Sequence, residues 1–172
     1  MSIKEQVITP IKPEVFPIND ILPHGEPVIL LGQMESYAAD FFQASVVIGE
    51  NSPFYDHALG GVPAWIGIEY MAQAIAAWAG VRRIYQEKPI VPGFLLGAQS
   101  YHCASPVFKV GQVMQVTVNL QMESSDGLGA FSCKLNAASG ELLAEAVVNA
   151  FSPDDPSEII SIWLEKSKLA KL

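Results

Sequence analysis

One long apolar segment with a single carboxylate in it limits the folds open to this chain of 172 residues. Residues 62–79 read VPAWIGIEYMAQAIAAWA, so apolar side chains fall on nearly every side of a helix. Such a helix is normally buried, because no polar face remains to meet water. Glu69 lies inside this segment and Gln73 follows one turn later. The pattern therefore predicts a core helix that shelters a carboxylate.

A sheltered carboxylate without a cationic partner is costly, because burial disfavours its charged form. His57 lies six residues before Pro63, in a glycine-containing loop at 53–61. A carboxyl group kept neutral by its surroundings and a histidine supplied by a loop form a proton-transfer pair. The alternatives are a glutamate satisfied by backbone groups or a partner chain, and an ordinary exposed loop histidine.

The segments around the helix predict β-strands. The helix itself is predicted from Pro63 to about Tyr85, with proline at its first turn. Two strands are expected before it, at 28–34 and 39–48, joined at 36–37. Four more follow it, separated by glycine-containing turns. These four predicted strands cover residues 94–105, 113–124, 130–138 and 141–152.

This order of elements predicts an α+β fold. A helix that is apolar all round cannot lie half-exposed on a flat sheet, so a curved antiparallel sheet is expected to wrap around it. The sheet would leave edge strands that a second copy can cover by pairing, which predicts a dimer.

The remaining bulk properties set the domain plan and exclude some classes of function. We expect one domain at 21–153, an N-terminal arm at 1–20 and a C-terminal extension at 154–172 with a short amphipathic helix. The net charge of −8 argues against a nucleic-acid binder. No signal peptide or membrane-spanning segment is recognised, which predicts a cytoplasmic protein. Cys103 and Cys133 fall in strand-like segments and are expected to be inert core residues.

Three motifs in order resemble those of hotdog-fold 3-hydroxyacyl-[acyl-carrier-protein] dehydratases. Residues 21–31, ILPHGEPVILL, are similar to the family segment LPHR-x-P-h-L-L. Residues 63–73, PAWIGIEYMAQ, are similar to the helix motif P-G-x4-E-x-M-A-Q. Residues 94–97 and 105–112 are similar to the strand and turn F-x-G … P-V-x-P-G-D. The match most resembles the dehydratases that accompany aryl-polyene-type lipid gene clusters.

The chain departs from these motifs at the loop before the helix. His57 stands two residues closer to Pro63 than the family's catalytic histidine does, and Ala64 replaces the glycine that follows the proline. Glu69 aligns without gaps.

The resemblance implies reversible dehydration of a 3-hydroxyacyl thioester to a trans-2-enoyl thioester, without a metal or redox cofactor. His57 would take the C2 proton and Glu69 would protonate the departing hydroxyl. Backbone N–H groups around Ala64 would stabilise the enolate oxygen. Histidine and acid would come from different subunits of a homodimer, a heterodimer with a paralogue or a higher oligomer. His24 and His102 are predicted to be structural.

Other residues have predicted supporting roles. Gln73 would hold Glu69 in place. Trp65, Ile68 and Leu96 are the predicted walls of an acyl tunnel, although sequence does not separate tunnel from core. The predicted contacts with an acidic acyl carrier protein are Arg82, Arg83 and Lys109, which equally suit an ordinary solvated surface.

Two other functions stay open at this point. One is an acyl-thioester hydrolase on the same fold, in which the helix carboxylate activates water. The other is a non-catalytic acyl-binding subunit that completes the site of a paralogous partner. The substrate is a thioester of acyl carrier protein or of coenzyme A, and no nucleic acid or membrane partner is expected.

Overall fold

The computed structural model describes residues 15–169, which form one long helix packed against an antiparallel sheet. The elements in chain order are α1 (Ile18–Ile21), β1 (Met34–Ala38), β2 (Phe41–Val47), β3 (Gly61–Pro63), a 3-10 turn (Ala64–Ile66), α2 (Gly67–Tyr85), β4 (Phe94–Cys103), β5 (Val107–Lys109), β6 (Val113–Glu123), β7 (Leu128–Ala137), β8 (Leu142–Phe151) and α3 (Ser157–Leu169).

Six strands form the main sheet in the order β1-β2-β6-β7-β8-β4, with every neighbouring pair antiparallel. The short strands β3 and β5 pair with each other in a second, two-stranded sheet. The main sheet therefore has β1 and β4 as its edges. The predicted α+β class, with a central helix against an antiparallel sheet, is confirmed.

The core lies between α2 and the inner face of the sheet. Strand β2 shows the expected alternation, since every second residue from Phe42 to Val46 is buried. Met71 and Ala74 of α2 are fully buried with them. Burial of each large apolar side chain contributes about 1.5–3 kcal/mol relative to its exposure, so this contact is the main source of stability.

One stripe of α2 stays open, which the sequence did not predict. Glu69, Ala72, Ala76 and Ala79 are only partly buried, whereas the residues between them are mostly buried. These positions recur every three or four residues and so share one face of the helix. The other faces of the helix are mostly buried, except in its last turn, where Tyr85 is exposed.

The predicted strands after the helix agree with the structure to within two residues at every boundary. The helix begins one turn later than predicted, because a 3-10 turn separates it from Pro63. The strand predicted at 28–34 pairs with β2 only at its end, and the predicted join at 36–37 is wrong because β1 runs through it to Ala38. The backbone at Val28 and Leu30 bonds to the side chain of Gln73 in place of a neighbouring strand, and the first strand begins at Met34.

The N-terminal end of the described chain packs against the core domain. Ile18 and Ile21 are buried, and a Cβ at Gly80 would collide with the carbonyl oxygen of Ile21. The end of the predicted arm is therefore packed on α2, while its residues 1–14 lie outside the described part of the chain. The helix predicted near the C-terminus is present as α3. Within residues 15–169, no helix combines the length and apolarity needed to cross a bilayer.

Candidate active site

The carboxylate singled out by the sequence lies in the first turn of α2 and is held by one buried side chain. Gln73 donates from Nε2 to Glu69 Oε1 at 3.0 Å and to the Val28 carbonyl at 2.9 Å. Its Oε1 accepts the N–H of Leu30 at 2.8 Å. Because Gln73 is fully buried and bonded on both sides, its amide orients the Glu69 carboxylate. The predicted contact between these two residues is present.

Glu69 opens into a cavity of about 220 Å³ that follows the open stripe of α2. Its floor is made of alanines, whose small side chains leave room beside the helix. Its opposite wall comes from the start of β4 and the end of β8. The lining residues are His24, Glu69, Ala72, Gln73, Ile75, Ala76, Ala79, Val91, Gly93, Phe94, Leu95, Ala150, Phe151 and Ser152. A mostly apolar cleft with few polar groups suits a ligand with a hydrocarbon chain.

The structure separates the three histidines. His24 lines the cavity that contains Glu69, although the sequence predicted only a structural role for it. His57 is exposed and does not line that cavity; its ring packs edge-on against Tyr55 at 5.0 Å. His102 is exposed on β4. Within this chain the predicted pair of His57 and Glu69 is therefore not assembled.

Of the backbone N–H groups around Ala64 predicted as oxyanion donors, that of Ala64 itself is not free. Its N–H donates to the carbonyl of Pro106 at 2.9 Å, which continues the pairing of β3 with β5 by one residue. Its carbonyl accepts a hydrogen bond from the hydroxyl of Tyr101. The sequence missed both contacts, because they join segments about forty residues apart.

Tyr101 locks the edge strand β4 to the start of α2. Burial raises the pKa of its hydroxyl well above the usual value, so the group stays protonated and donates to Ala64. A Cβ at Gly67 would collide with this hydroxyl. Glycine at 67 therefore permits the close approach of the strand.

None of the three predicted tunnel residues lines the Glu69 cavity. Trp65 is 65% exposed and packs edge-on against Phe54 at 6.4 Å. Ile68 is half-buried. Leu96 lies at a bulge in β4 and faces a different groove, of about 400 Å³, while its neighbour Leu95 faces the cavity. The lining of the Glu69 cavity could have been suggested by the spacing of Ala72, Ala76 and Ala79, which marks one helix face.

The predicted carrier-protein contacts do not form one patch. Arg82 donates to both carboxylate oxygens of Glu123, at 2.8 and 2.7 Å. Arg83 is only 9% exposed and donates to the carbonyls of Pro89 and Asp154, so its prediction as a docking residue is wrong. Lys109 is exposed, but it pairs with β3 at the other end of α2. By helix geometry that is more than about 20 Å away from the arginines.

Comparison with known proteins gives one specific match and several distant ones. A family model described as ApeP-like, ApeP dehydratase, matches residues 16–161. A chain of the structure titled "The Dehydratase Heterocomplex ApeI:P from Xenorhabdus doucetiae" is 29% identical, with a TM-score of 0.79 over 86% of this chain and 97% of that one. Comparison with curated proteins found no match.

Two other solved structures agree in fold alone. The E. coli PaaI protein from the phenylacetic acid degradation operon is 8% identical, with a TM-score of 0.53 over 69% of this chain and 81% of that one. A hypothetical thioesterase from Streptococcus pneumoniae TIGR4, solved with coenzyme A, is 9% identical, with a TM-score of 0.54 over 69% and 83%. The predicted hotdog fold is confirmed.

Proposed function

The chain belongs to the ApeP-like dehydratase family, and from that premise we propose that it removes water from 3-hydroxyacyl thioesters. The product is a trans-2-enoyl thioester, and the acyl group is carried on an acyl carrier protein in fatty-acid or polyene-lipid biosynthesis. Such carriers work in the cytoplasm, where we place the reaction.

The observation that carries this proposal is the placement of Glu69. Its carboxylate is oriented by Gln73 and opens into an apolar cavity beside α2. Loss of the 3-hydroxyl requires a proton donor beside an acyl chain, and a carboxyl group in apolar surroundings suits that role. We therefore assign Glu69 as the group that protonates the leaving hydroxyl, and Gln73 as the residue that positions it.

A partner subunit is part of the proposal. The histidine predicted from the sequence, His57, lies outside the Glu69 cavity of its own chain, so it would reach a carboxylate only across a subunit boundary. The similar structure from Xenorhabdus doucetiae is titled as a heterocomplex. We propose that the active form contains a second hotdog subunit, either another copy or a paralogue.

The experiment measures dehydration by the purified protein, alone and mixed with a paralogous hotdog subunit. Several 3-hydroxyacyl carrier-protein thioesters are incubated without added cofactor, and loss of water is followed by mass spectrometry. Glu69→Gln should lower the rate by about 10³-fold, the scale of general acid catalysis. Glu123→Gln is the matched control, because Glu123 is paired with Arg82 and does not line the cavity.

Two results would contradict the proposal. Full activity of Glu69→Gln would remove the carboxylate from the mechanism. Release of free carrier thiol, with no loss of water, would identify a thioester hydrolase.

A further inference from the structure

The cavity beside α2 has a definite far end. Its lining on the helix begins at Glu69 and ends at Ala79. From position 69 to position 79 the helix rises about 15 Å. The opposite wall comes from segments 91–95 and 150–152 and is mostly apolar. A hydrocarbon chain that starts at the Glu69 end therefore has one direction to follow, toward Ala79.

A surface of different character begins where this cavity ends. Ala79 and Ser152 also line a second pocket, of about 570 Å³, at the C-terminal end of α2. Lys88 and Asp154 line that pocket and form an ion pair at 3.3 Å, and Arg83 lies 3.6 Å from the same carboxylate. Charged groups lose favourable hydration when a hydrocarbon covers them. We therefore expect an acyl chain to stop at the junction between Ala79 and Ser152.

Both walls of this junction are held by close packing. On the helix side, Gly80 follows Ala79 directly, and a Cβ at Gly80 would collide with the carbonyl oxygen of Ile21. On the sheet side, the N–H of Ser152 donates to the carbonyl of Gly127 at 2.8 Å, and a Cβ at Gly127 would collide with the carbonyl oxygen of Ser152. Each wall is thus fixed against a neighbouring segment, so the fold sets the width of the junction.

The distance from Glu69 to Ala79 corresponds to a definite length of acyl chain. An extended polypeptide advances about 3.6 Å over the three bonds of one residue, so an extended chain gains about 1.2 Å for each bond. With C3 of the substrate held at Glu69, a cavity of about 15 Å accommodates about 12 further bonds. The cavity therefore accepts a 3-hydroxyacyl group of up to about 15 carbons.

We propose that Ala79 is a specificity-determining residue, at which the acyl chain is limited to about 14–16 carbons; this rests on the proposed function. Shorter chains lie along the stripe lined by alanines. Longer chains would have to place methylene groups among the ion-paired side chains at the C-terminal end of α2. Ala76 and Ala72 lie successively closer to Glu69 on the same stripe, so filling these positions should shorten the limit in steps.

The first arm of the test measures kcat/KM against chain length in the wild-type protein, in its active assembly. Saturated 3-hydroxyacyl carrier-protein thioesters of about 4 to about 20 carbons are supplied, and loss of water is followed by mass spectrometry. The value of kcat/KM should be highest near 14–16 carbons and at least about tenfold lower at about 20 carbons. A value that still rises at about 20 carbons would overturn the limit.

The second arm uses two leucine substitutions, and its readout is the chain length at which kcat/KM is highest. A leucine side chain on a helix covers the turn before it, so Ala79→Leu should shorten the best chain by about 5.4 Å, or about four carbons. Ala76→Leu should shorten it by about eight carbons, because position 76 lies about 4.5 Å closer to Glu69. Ala138→Leu, in the exposed turn between β7 and β8, is the control and should keep the wild-type profile.

The outcomes separate this proposal from the proposed function. Thermal unfolding verifies the fold of each variant, and Ala79→Met, with its adaptable unbranched side chain, replaces a leucine variant that does not fold. The same best chain length in every variant would overturn the role of Ala79 and leave dehydration in place. An equal fall at every length would also overturn it, since the carrier arm would then occupy the cavity. Absence of water loss at every length in the wild type would instead overturn the proposed function itself.

Discussion

The two ends of helix α2 differ in how their polar side chains are satisfied. At the C-terminal end, Arg83 is buried and bonded to two backbone carbonyls, and Nη1 of Arg82 donates to both carboxylate oxygens of Glu123. At the N-terminal end, Glu69 receives one hydrogen bond, from Gln73, and its second oxygen accepts none from the described part of the chain. The two arginines at the C-terminal end are bonded within the fold. At the N-terminal end, one carboxylate oxygen of Glu69 is available to a ligand.

The packing around α2 also differs between its two ends. Near the C-terminal end, Gly80 touches the backbone at Ile21 with no space for a methyl group. Toward the N-terminal end, the open stripe runs past Ala76 and Ala72 to the carboxylate. A site for an acyl chain needs a polar group that is free to react beside apolar free space, and the Glu69 end offers both. Changes at this end should therefore affect activity more, and changes at the other end should affect stability more.

The largest expected effect on stability is at Gly80. Gly80→Ala would force a Cβ into the carbonyl of Ile21, and moving α1 away should cost about 3 kcal/mol. Urea unfolding followed by circular dichroism measures this change. Gly25→Ala is the control, because nothing lies within 4 Å of that position. Equal stability of the two variants would show that the contact with Ile21 is not close.

Gln73→Leu should affect both stability and activity, because it removes the link between the N-terminal segment and the acid. Val28 and Leu30 would lose their partner, at a cost of about 2–3 kcal/mol for unsatisfied backbone groups. Turnover should also fall by about 10–100-fold as the carboxylate loses its orientation. Parallel unfolding and kinetic measurements, with exposed Gln86→Leu as the control, check both parts. An unchanged kcat would contradict the positioning role.

Tyr70 on the buried face of α2 should make the folded state less stable at alkaline pH. Burial raises the pKa of Tyr70 from 10.0 to about 12. Above pH 10 the unfolded chain loses this proton while the folded chain keeps it, so stability falls as the pH rises from 10 to 12. The loss from this group amounts to about 2 kcal/mol.

Tyr70→Phe should make the fall in stability over that range less steep and leave stability at pH 8 within about 1 kcal/mol of wild type. Urea unfolding at pH 8, 10 and 11 measures the slope for both proteins. An equally steep decline in Tyr70→Phe would show that other groups control alkaline unfolding.

The smallest effects on stability are expected at Arg82 and Arg83. The informative result is which of the two substitutions costs more. Arg83→Met should cost about 1–2 kcal/mol, because Pro89 and Asp154 lose a buried donor. Arg82→Met removes a half-exposed ion pair and should cost less than about 1 kcal/mol. Thermal unfolding compares the two variants. The reverse order would show that the ion pair between Arg82 and Glu123 contributes more to stability than its exposure indicates.

The sequence predicted the fold well because hydrophobic periodicity is a local property. The alternation in 113–124 and 141–152 gave strands β6 and β8 nearly to the residue. It failed at the start of 28–34, where an apolar run looks like a strand but bonds to Gln73. Periodicity reports that a segment is buried, and it does not report which group satisfies its backbone.

The site was predicted only in part, for a related reason. Glu69 and Gln73 lie one helical turn apart, so their contact could be predicted from spacing alone. Other hydrogen bonds depend on how segments distant in sequence meet. Examples are the bond from Ala64 to Pro106 and the bonds from Arg83 to Pro89 and Asp154. A charged or donating group cannot be assigned to a ligand until its partners within the fold are known.

The amino-acid order by itself determined that an apolar helix carries one carboxylate against an antiparallel sheet, since both signals come from side-chain spacing along the chain. Tertiary structure alone decided which face of that helix stays open and that His24, not His57, borders the same cavity as Glu69. The physical reason is that a cavity is enclosed by segments distant in sequence. Their meeting is fixed by contacts such as Ile21 on Gly80, which no local pattern encodes.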